Sequence, residues 1–157
     1  MPQMEILRAS EDDMHEILNL QKLAFQENVV RYDEPDIPSV TQTLDEFVEK
    51  ARGHIILKAV IDRMIIGSVK GLQNGNRCRI SNLIVHPDHW NRGIGHGLVD
   101  AIEKEFDVDV YELVTGYRDD KNISLYEKHG YRLTEGYFEK VTEKLYFIHM
   151  SKRNAVR

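Results

Sequence analysis

Apolar residues recur along the chain in two rhythms. Residues 4–9 (MEILRA) alternate like a short strand. Met14, Ile17, Leu18, Leu20, Leu23, Ala24 and Phe25 then repeat at helical spacing. Ser10 predicts the N-cap of that helix, and Asp12 and Asp13 place negative charge at its positive end. Residues 28–40 (NVVRYDEPDIPSV) hold two prolines and read as a loop. Thr43 and Glu46 form a capping box for a second helix running to about Ala51 and stopping near Gly53. Residues 54–61 and 64–72 are rich in Ile and Val and read as a hairpin. Asn74-Gly75 is a strong turn signal leading into a strand over 77–85. A helix over 98–106, a strand over 110–114, a helix over 122–129 ended by Gly130, and strands over 131–133 and 145–150 complete the pattern. This order predicts a mixed α/β (α+β) fold: one mostly antiparallel sheet of six or seven strands, flanked by about four helices. No repeat or linker divides the chain, so 1–157 reads as one domain.

Composition narrows the function. The formal net charge of −5 argues against a nucleic-acid binder. The lone Cys78 forbids an internal disulfide and suits a reducing compartment. No stretch approaches a membrane span and the N-terminus lacks an apolar signal core, so a cytoplasmic location without membrane attachment is expected.

The chemistry concentrates in SNLIVHPDHWNRGIGHGLVDAIE, residues 81–103. Gly93, Gly95 and Gly97 alternate where a helix should begin, although glycine weakens helices by up to ~1 kcal/mol each. Free N–H groups at a helix start attract anions, and glycine lets a phosphate approach them. Arg92, Gly93, Ile94, Gly95, His96 and Gly97 thus read either as a pyrophosphate cradle or as a turn that only lets helix and strand pack closely. A P-loop is excluded, because His96-Gly97-Leu98 stands where Lys-Ser or Lys-Thr is required. A dinucleotide fingerprint fails on spacing and on its separation from the strand.

"LIVHPDHWNRGIGHGL" resembles the signature segment of the GNAT superfamily of acyl-CoA-dependent N-acetyltransferases. There, a strand ending in Val-x-Pro leads to (Gln/Arg)-x-x-Gly-x-(Gly/Ala). Gly93 and Gly95 take the small positions; Trp90 stands where Gln or Arg is usual and removes a polar side chain. "NISLYEKHGY", residues 122–131, is similar to the family's Asn-x-x-(Ala/Ser)-x-x-Leu-Tyr-Glu-Lys-x-Gly-Phe, compressed before Leu125. The resemblance covers about residues 6–150. It implies acetyl-CoA as cosubstrate, without a metal, lying between splayed strands. Its pantetheine arm pairs with backbone near Leu83, Ile84 and Val85, its pyrophosphate sits on 91–97, and Asn122 touches the arm. It also implies that Tyr126 protonates the departing thiolate. That step is uphill by roughly 1.5 pK units, about 2 kcal/mol, from a tyrosine near ~10 to a thiol near ~8.5. A half-buried packing role is the competing reading of Tyr126.

The base is harder to place. Ser81, Asn82 and Glu34 are candidates, the first two only as water or oxyanion positioners. The loop after the first helix carries Glu27, Tyr32, Asp33, Glu34 and Asp36. In the family this chain resembles, that loop helps to form the acceptor site, which implies Tyr32, Asp33 and Glu34 there, an acidic mouth for a small-molecule, peptide or protein amine; a solvated acidic loop is the competing reading. Cys78 lies between Arg77 and Arg79, which favour a thiolate, yet strand cysteines are usually inert. With no visible base beside it, direct transfer in a ternary complex is expected. His86-x-x-His89 lacks a third clustered ligand and reads as structural rather than metal-binding. A non-catalytic acyl-CoA sensor is the rival reading, since a sensor needs no Tyr126; a protein-interaction domain is a third. A homodimer is left open.

Overall fold

A computed structural model describes residues 3–155, without the side chains of 135–138. In chain order the elements are β1 (Glu5–Arg8), a 3-10 turn (Glu11–Asp13), α1 (Met14–Ala24), α2 (Gln26–Tyr32), α3 (Pro38–Thr41), α4 (Leu44–Lys50), β2 (Ile55–Ile61), β3 (Met64–Asn74) and β4 (Arg77–Val85). A second 3-10 turn (Pro87–His89), α5 (Ile94–Glu103), β5 (Val110–Gly116), α6 (Asp120–Lys128), β6 (Arg132–Lys140) and β7 (Tyr146–Arg153) follow. One sheet of seven strands runs β1-β2-β3-β4-β5-β7-β6. All of its neighbours pair antiparallel except β4 and β5.

Helices cover both faces of this sheet, which is why β3 is buried continuously from Ile65 to Gly71 rather than at alternate positions. On one face, Ile17, Leu18 and Leu20 of α1 and Phe47 of α4 pack on Ile56, Ile65 and Ile84. On the other, Leu98, Val99 and Ile102 of α5 meet Leu57, Val69, Cys78, Ile80 and Leu113. Leu98, Val99 and Ile102 are completely buried.

The chain departs from its sequence-based expectation in the segment 28–40. The helix resumes after Phe25 and continues to Tyr32, where Asp33 closes it in a left-handed conformation (φ 48°). Val29 and Val30 are poor helix formers and hide this turn, but Tyr32 is 2% exposed and anchors it against Ile37 and Leu145. Helix α5 begins at Ile94 rather than Leu98, so two of the three glycines lie inside its first turn. Strand β6 is longer than its short apolar core suggested.

One topological detail creates the site. β4 and β5 are in register only from Arg77↔Val110 to Ile80↔Leu113, while β4 continues to Val85 and β5 to Gly116. A bulge helps to part them. Ser81 lies opposite Lys70 but Ile84 lies opposite Ser68, and Asn82 takes a positive φ of 52°.

Candidate active site

Where β4 and β5 separate, a cleft of about 280 Å³ opens. One wall is the N-terminus of α5, another the free edge of β4, a third α6, and the far end is formed by α1 and α2.

The three glycines serve three different ends. Gly93 is the N-cap of α5 at φ 80°, and Asn91 is also left-handed at φ 63°. A Cβ on Gly93 would meet nothing within 4 Å, so glycine is needed there for conformation, not for room. The first helical bond runs from Gly97 N–H to Gly93 O, leaving the amides of Ile94, Gly95 and His96 without helical partners at the cleft. A Cβ on Gly95 would stand 2.9 Å from Leu125 Cδ1, so this glycine lets α6 approach α5. Gly97 faces Ile6 and Met4 at ordinary contact distance. Only the backbone around Gly93 therefore has the open, amide-lined shape of an anion cradle. Of the residues expected in the cradle, Asn91, Gly93, Ile94, Gly95 and His96 line the cleft. Arg92, which is exposed, and Gly97 do not.

Leu83, Ile84 and Val85 all line the cleft. His86 N–H donates to Ile66 O, so by strand alternation Ile84 faces β3 while Leu83 and Val85 turn their backbone groups outward. Trp90 replaces the expected polar side chain with its own donor: its indole N–H donates to Val85 O at 2.8 Å. The Lys121 ammonium sits 4.2 Å from the Trp90 ring centre, tying α6 to the cradle. His96 shares a 2.8 Å hydrogen bond with His129, whose Nδ1 lies 3.4 Å from Asp100. Burial foremost holds the His129 pKa below the usual histidine value.

Helix α6 reaches the cleft with Asn122, Ser124 and Leu125. Its N-cap is Asp119, which the sequence reading missed. Asp119 accepts from the Asn122 backbone N–H at 3.2 Å and from the Asn122 side-chain amide at 3.0 Å. Counted back from Leu125-Tyr126 without compression, the motif's asparagine falls on position 119, where this chain carries aspartate. That spacing was the available signal. Asp119 is 8% exposed and lines the cleft, and its pKa is raised, chiefly by burial. Tyr126 is 5% exposed, inside the α5-side core, with its ring edge-on to Tyr131. Its phenol is held above the ordinary tyrosine pKa by burial and then by the charge of Asp119, which places the two groups within electrostatic reach.

The expected acceptor residues are not gathered at the cleft. Tyr32 is buried, and its hydroxyl accepts from Arg118 N–H at 2.9 Å. Asp33 is exposed and ion-paired to Lys144 at 3.1 Å. Glu34 does not line the cleft either. Glu27, Asn28 and Arg31 on α2 do line it. Arg31 pairs with Glu27 at 3.0 Å. Asn82 points to the other face of the sheet, where its amide donates to Gln21 Oε1 at 2.7 Å. Ser81, opposite Lys70 on β4, is also absent from the cleft lining.

Cys78 is fully buried, and burial pushes its thiol up to about 12. The flanking arginines do not activate it, because neighbours on a strand face opposite ways and Arg77 pairs with Glu112 at 2.8 Å. Among the described residues no group of three His, Cys, Asp or Glu side chains is placed to hold a metal ion. None of their helices is long and apolar enough to cross a membrane.

A parallel strand pair that parts beside a helix N-terminus defines a class of site: a strand edge and free helix-start amides that one phosphate-bearing ligand can span. Residues 13–131 match the acetyltransferase (GNAT) family, and the chain belongs to that family as an acetyl-CoA-dependent N-acetyltransferase. It is 27% identical over 117 residues to an acetyltransferase of Sodalis glossinidius (strain morsitans), covering 71% of this chain and 82% of the relative. In fold it is similar to the PaiA N-acetyltransferase of Thermoplasma acidophilum solved with coenzyme A. That likeness has a TM-score of 0.73 and 19% identity over 97% of this chain and 99% of the other. It is likewise similar to the spermidine N-acetyltransferase of Vibrio cholerae solved with CoA and spermine, with a TM-score of 0.73 and 17% identity over 96% and 95% of the two chains.

Proposed function

We propose that the chain, acting as one domain, moves an acetyl group from acetyl-CoA to a primary amine by direct transfer in a ternary complex. The observation that carries this is the continuity of the cleft. It runs from the amides at Ile94, Gly95 and His96, past the outward backbone of Leu83 and Val85, to the α1–α2 end at Phe25, Asn28 and Arg31. Two substrates entering from opposite ends meet beside the bulge in β4.

The residues fit coenzyme A. Asn91, Gly93, Ile94, Gly95 and His96 hold the pyrophosphate, and Leu83 and Val85 pair with the pantetheine arm as an added strand. Asn122 lines the same passage. Acetyl-CoA supplies an acyl group activated as a thioester. The chain orients it along β4, shields it from water with Leu83 and Leu125, and offers the Tyr126 hydroxyl to the departing sulfur. That phenol is protonated at neutral pH, as any tyrosine is, and burial with the Asp119 charge raises its pKa further, so its proton transfer to the thiolate is more uphill than about 2 kcal/mol and falls to the transition state to offset. The inert burial of Cys78 supports transfer without an acyl-enzyme.

The test is release of free thiol from acetyl-CoA with n-butylamine, spermidine or a lysine-containing peptide. Tyr126→Phe should lower kcat and kcat/KM together by roughly ten- to a thousandfold while acetyl-CoA affinity holds. Affinity and turnover falling in proportion would make Tyr126 a packing residue. Binding of acetyl-CoA by the wild type without acetylation of any amine would instead favour a sensor of acyl-CoA.

A further inference from the structure

We infer that Asp119 is the general base: it receives the ammonium group of the acceptor and takes the proton that the amine must lose. The inference rests on the acetyl-transfer reading above and adds the proton acceptor that this reading lacks.

Asp119 lines the cleft and is 8% exposed, yet among the described residues it forms no ion pair with a lysine or arginine. Arg31 acts on Asp119 only through its charge, since its guanidinium pairs with Glu27 at 3.0 Å and donates to Asn28 Oδ1. Its two oxygens each accept one N–H from Asn122, which leaves about half of a carboxylate's acceptor capacity open. A carboxylate removed from water and left without a counter-ion is costly, and an incoming ammonium offsets that cost. The usual motif carries a neutral amide here; this chain carries a charge. The groups facing it are Glu27, Arg31 and Tyr32 from α2 and Asn122 and Tyr126 from α6. Burial foremost, then Glu27, raises the Asp119 pKa, while the Asn122 amide and Arg31 lower it. A raised carboxylate pKa is the direction a base needs.

The protons balance as follows. The acceptor arrives as R–NH₃⁺ and gives one proton to the Asp119 carboxylate. The free nitrogen lone pair forms the C–N bond as the C–S bond breaks. Tyr126 gives its proton to sulfur and regains one from the new amide nitrogen. Asp119 returns its proton to water when the products leave.

Asp119→Asn is the decisive variant, because asparagine caps a helix as well as aspartate does. With n-butylamine at pH 7, kcat/KM should fall by about a hundred- to ten-thousandfold. It should then rise by about tenfold per pH unit towards the amine pKa near ~10, as solvent takes over the deprotonation. The wild type should be flat there and lose activity only as pH falls through the Asp119 pKa. With p-anisidine, already neutral at pH 7, the variant should stay within about threefold of wild type, which also shows an intact fold. Equal losses with both amines, an unchanged pH profile, or a loss of acetyl-CoA affinity matching the loss of turnover would each overturn the assignment. If the wild type binds acetyl-CoA but acetylates neither amine, the transfer reading itself fails and Asp119 falls with it.

Discussion

Replacing Gly95 with alanine tests whether the glycine row is about phosphate or about packing. The added Cβ would lie 2.9 Å from Leu125 Cδ1, against a comfortable carbon–carbon separation of about 3.8 Å. Helix α6 or the Leu125 side chain must therefore give by about 1 Å. Overpacking of this kind costs typically about 1–3 kcal/mol, and the better helix propensity of alanine returns up to about 1 kcal/mol. The net expectation is a destabilisation of about 0–2 kcal/mol, or a few degrees in Tm for a chain of this size. Combining it with Leu125→Ala removes the clash, so Gly95→Ala should then stabilise by up to about 1 kcal/mol. The double-mutant cycle should show a coupling of about 1–3 kcal/mol. Urea unfolding of the four proteins measures this. Turnover supplies a second readout. Tyr126 follows Leu125 on α6, so a displaced helix moves its hydroxyl, and a shift of about 1 Å can cost on the order of a hundredfold in rate. That loss should recover in the double variant. Additive stabilities, or a single variant as stable as wild type with sharply weaker acetyl-CoA binding, would refute the packing argument and return Gly95 to the phosphate.

Two further outcomes are expected. Cys78→Ala should keep most of its turnover, and in the native wild type the Cys78 thiol should resist a disulfide reagent at pH 8, because burial pushes its pKa up to about 12; intact mass showing an acetylated Cys78 that chases to product would reverse this. Trp90→Phe keeps the ring beneath Lys121 but removes the indole donor to Val85 O, so stability should drop by about 1 kcal/mol and acetyl-CoA affinity about fivefold; calorimetry showing wild-type affinity would leave Trp90 a role in packing alone.

Much of the fold was legible because it is written in local rhythm. The period of α1, the capping box at Thr43 and Glu46, and the turn at Asn74-Gly75 each specify an element without reference to the rest of the chain. Helix α2 was not legible. Its seven residues include Val29 and Val30, and its stability comes from burying Tyr32 against Ile37 and Leu145, partners 5 and 113 positions away. Missing that helix put the expected acceptor residues at Tyr32, Asp33 and Glu34, whereas Glu27, Asn28 and Arg31 are the α2 residues that line the cleft. Helical periodicity turns those earlier residues towards the cleft, while Asp33, past the helix end in a left-handed conformation, pairs with Lys144.

The glycine row divides the two kinds of information most clearly. The sequence by itself pointed to a need for bare backbone within 93–97, and to a strand ending in Val85 meeting a helix start there, because glycine in a helix start carries a local cost that needs a reason. It could not say which way each missing Cβ would have pointed. Direction depends on what the helix packs against, and tertiary structure alone set Gly93 towards open space, Gly95 towards Leu125 and Gly97 towards Ile6. The same holds for the acid–base groups. The motif spacing held Tyr126 and, read without compression, position 119, but only the fold decides that Asp119 lines the cleft while Tyr126, absent from its lining, is buried in the α5-side core within reach of the Asp119 charge. That burial was decided by β4 and β5 parting after Ile80 and by α6 closing over the gap, a contact between segments some thirty residues apart that no local pattern encodes.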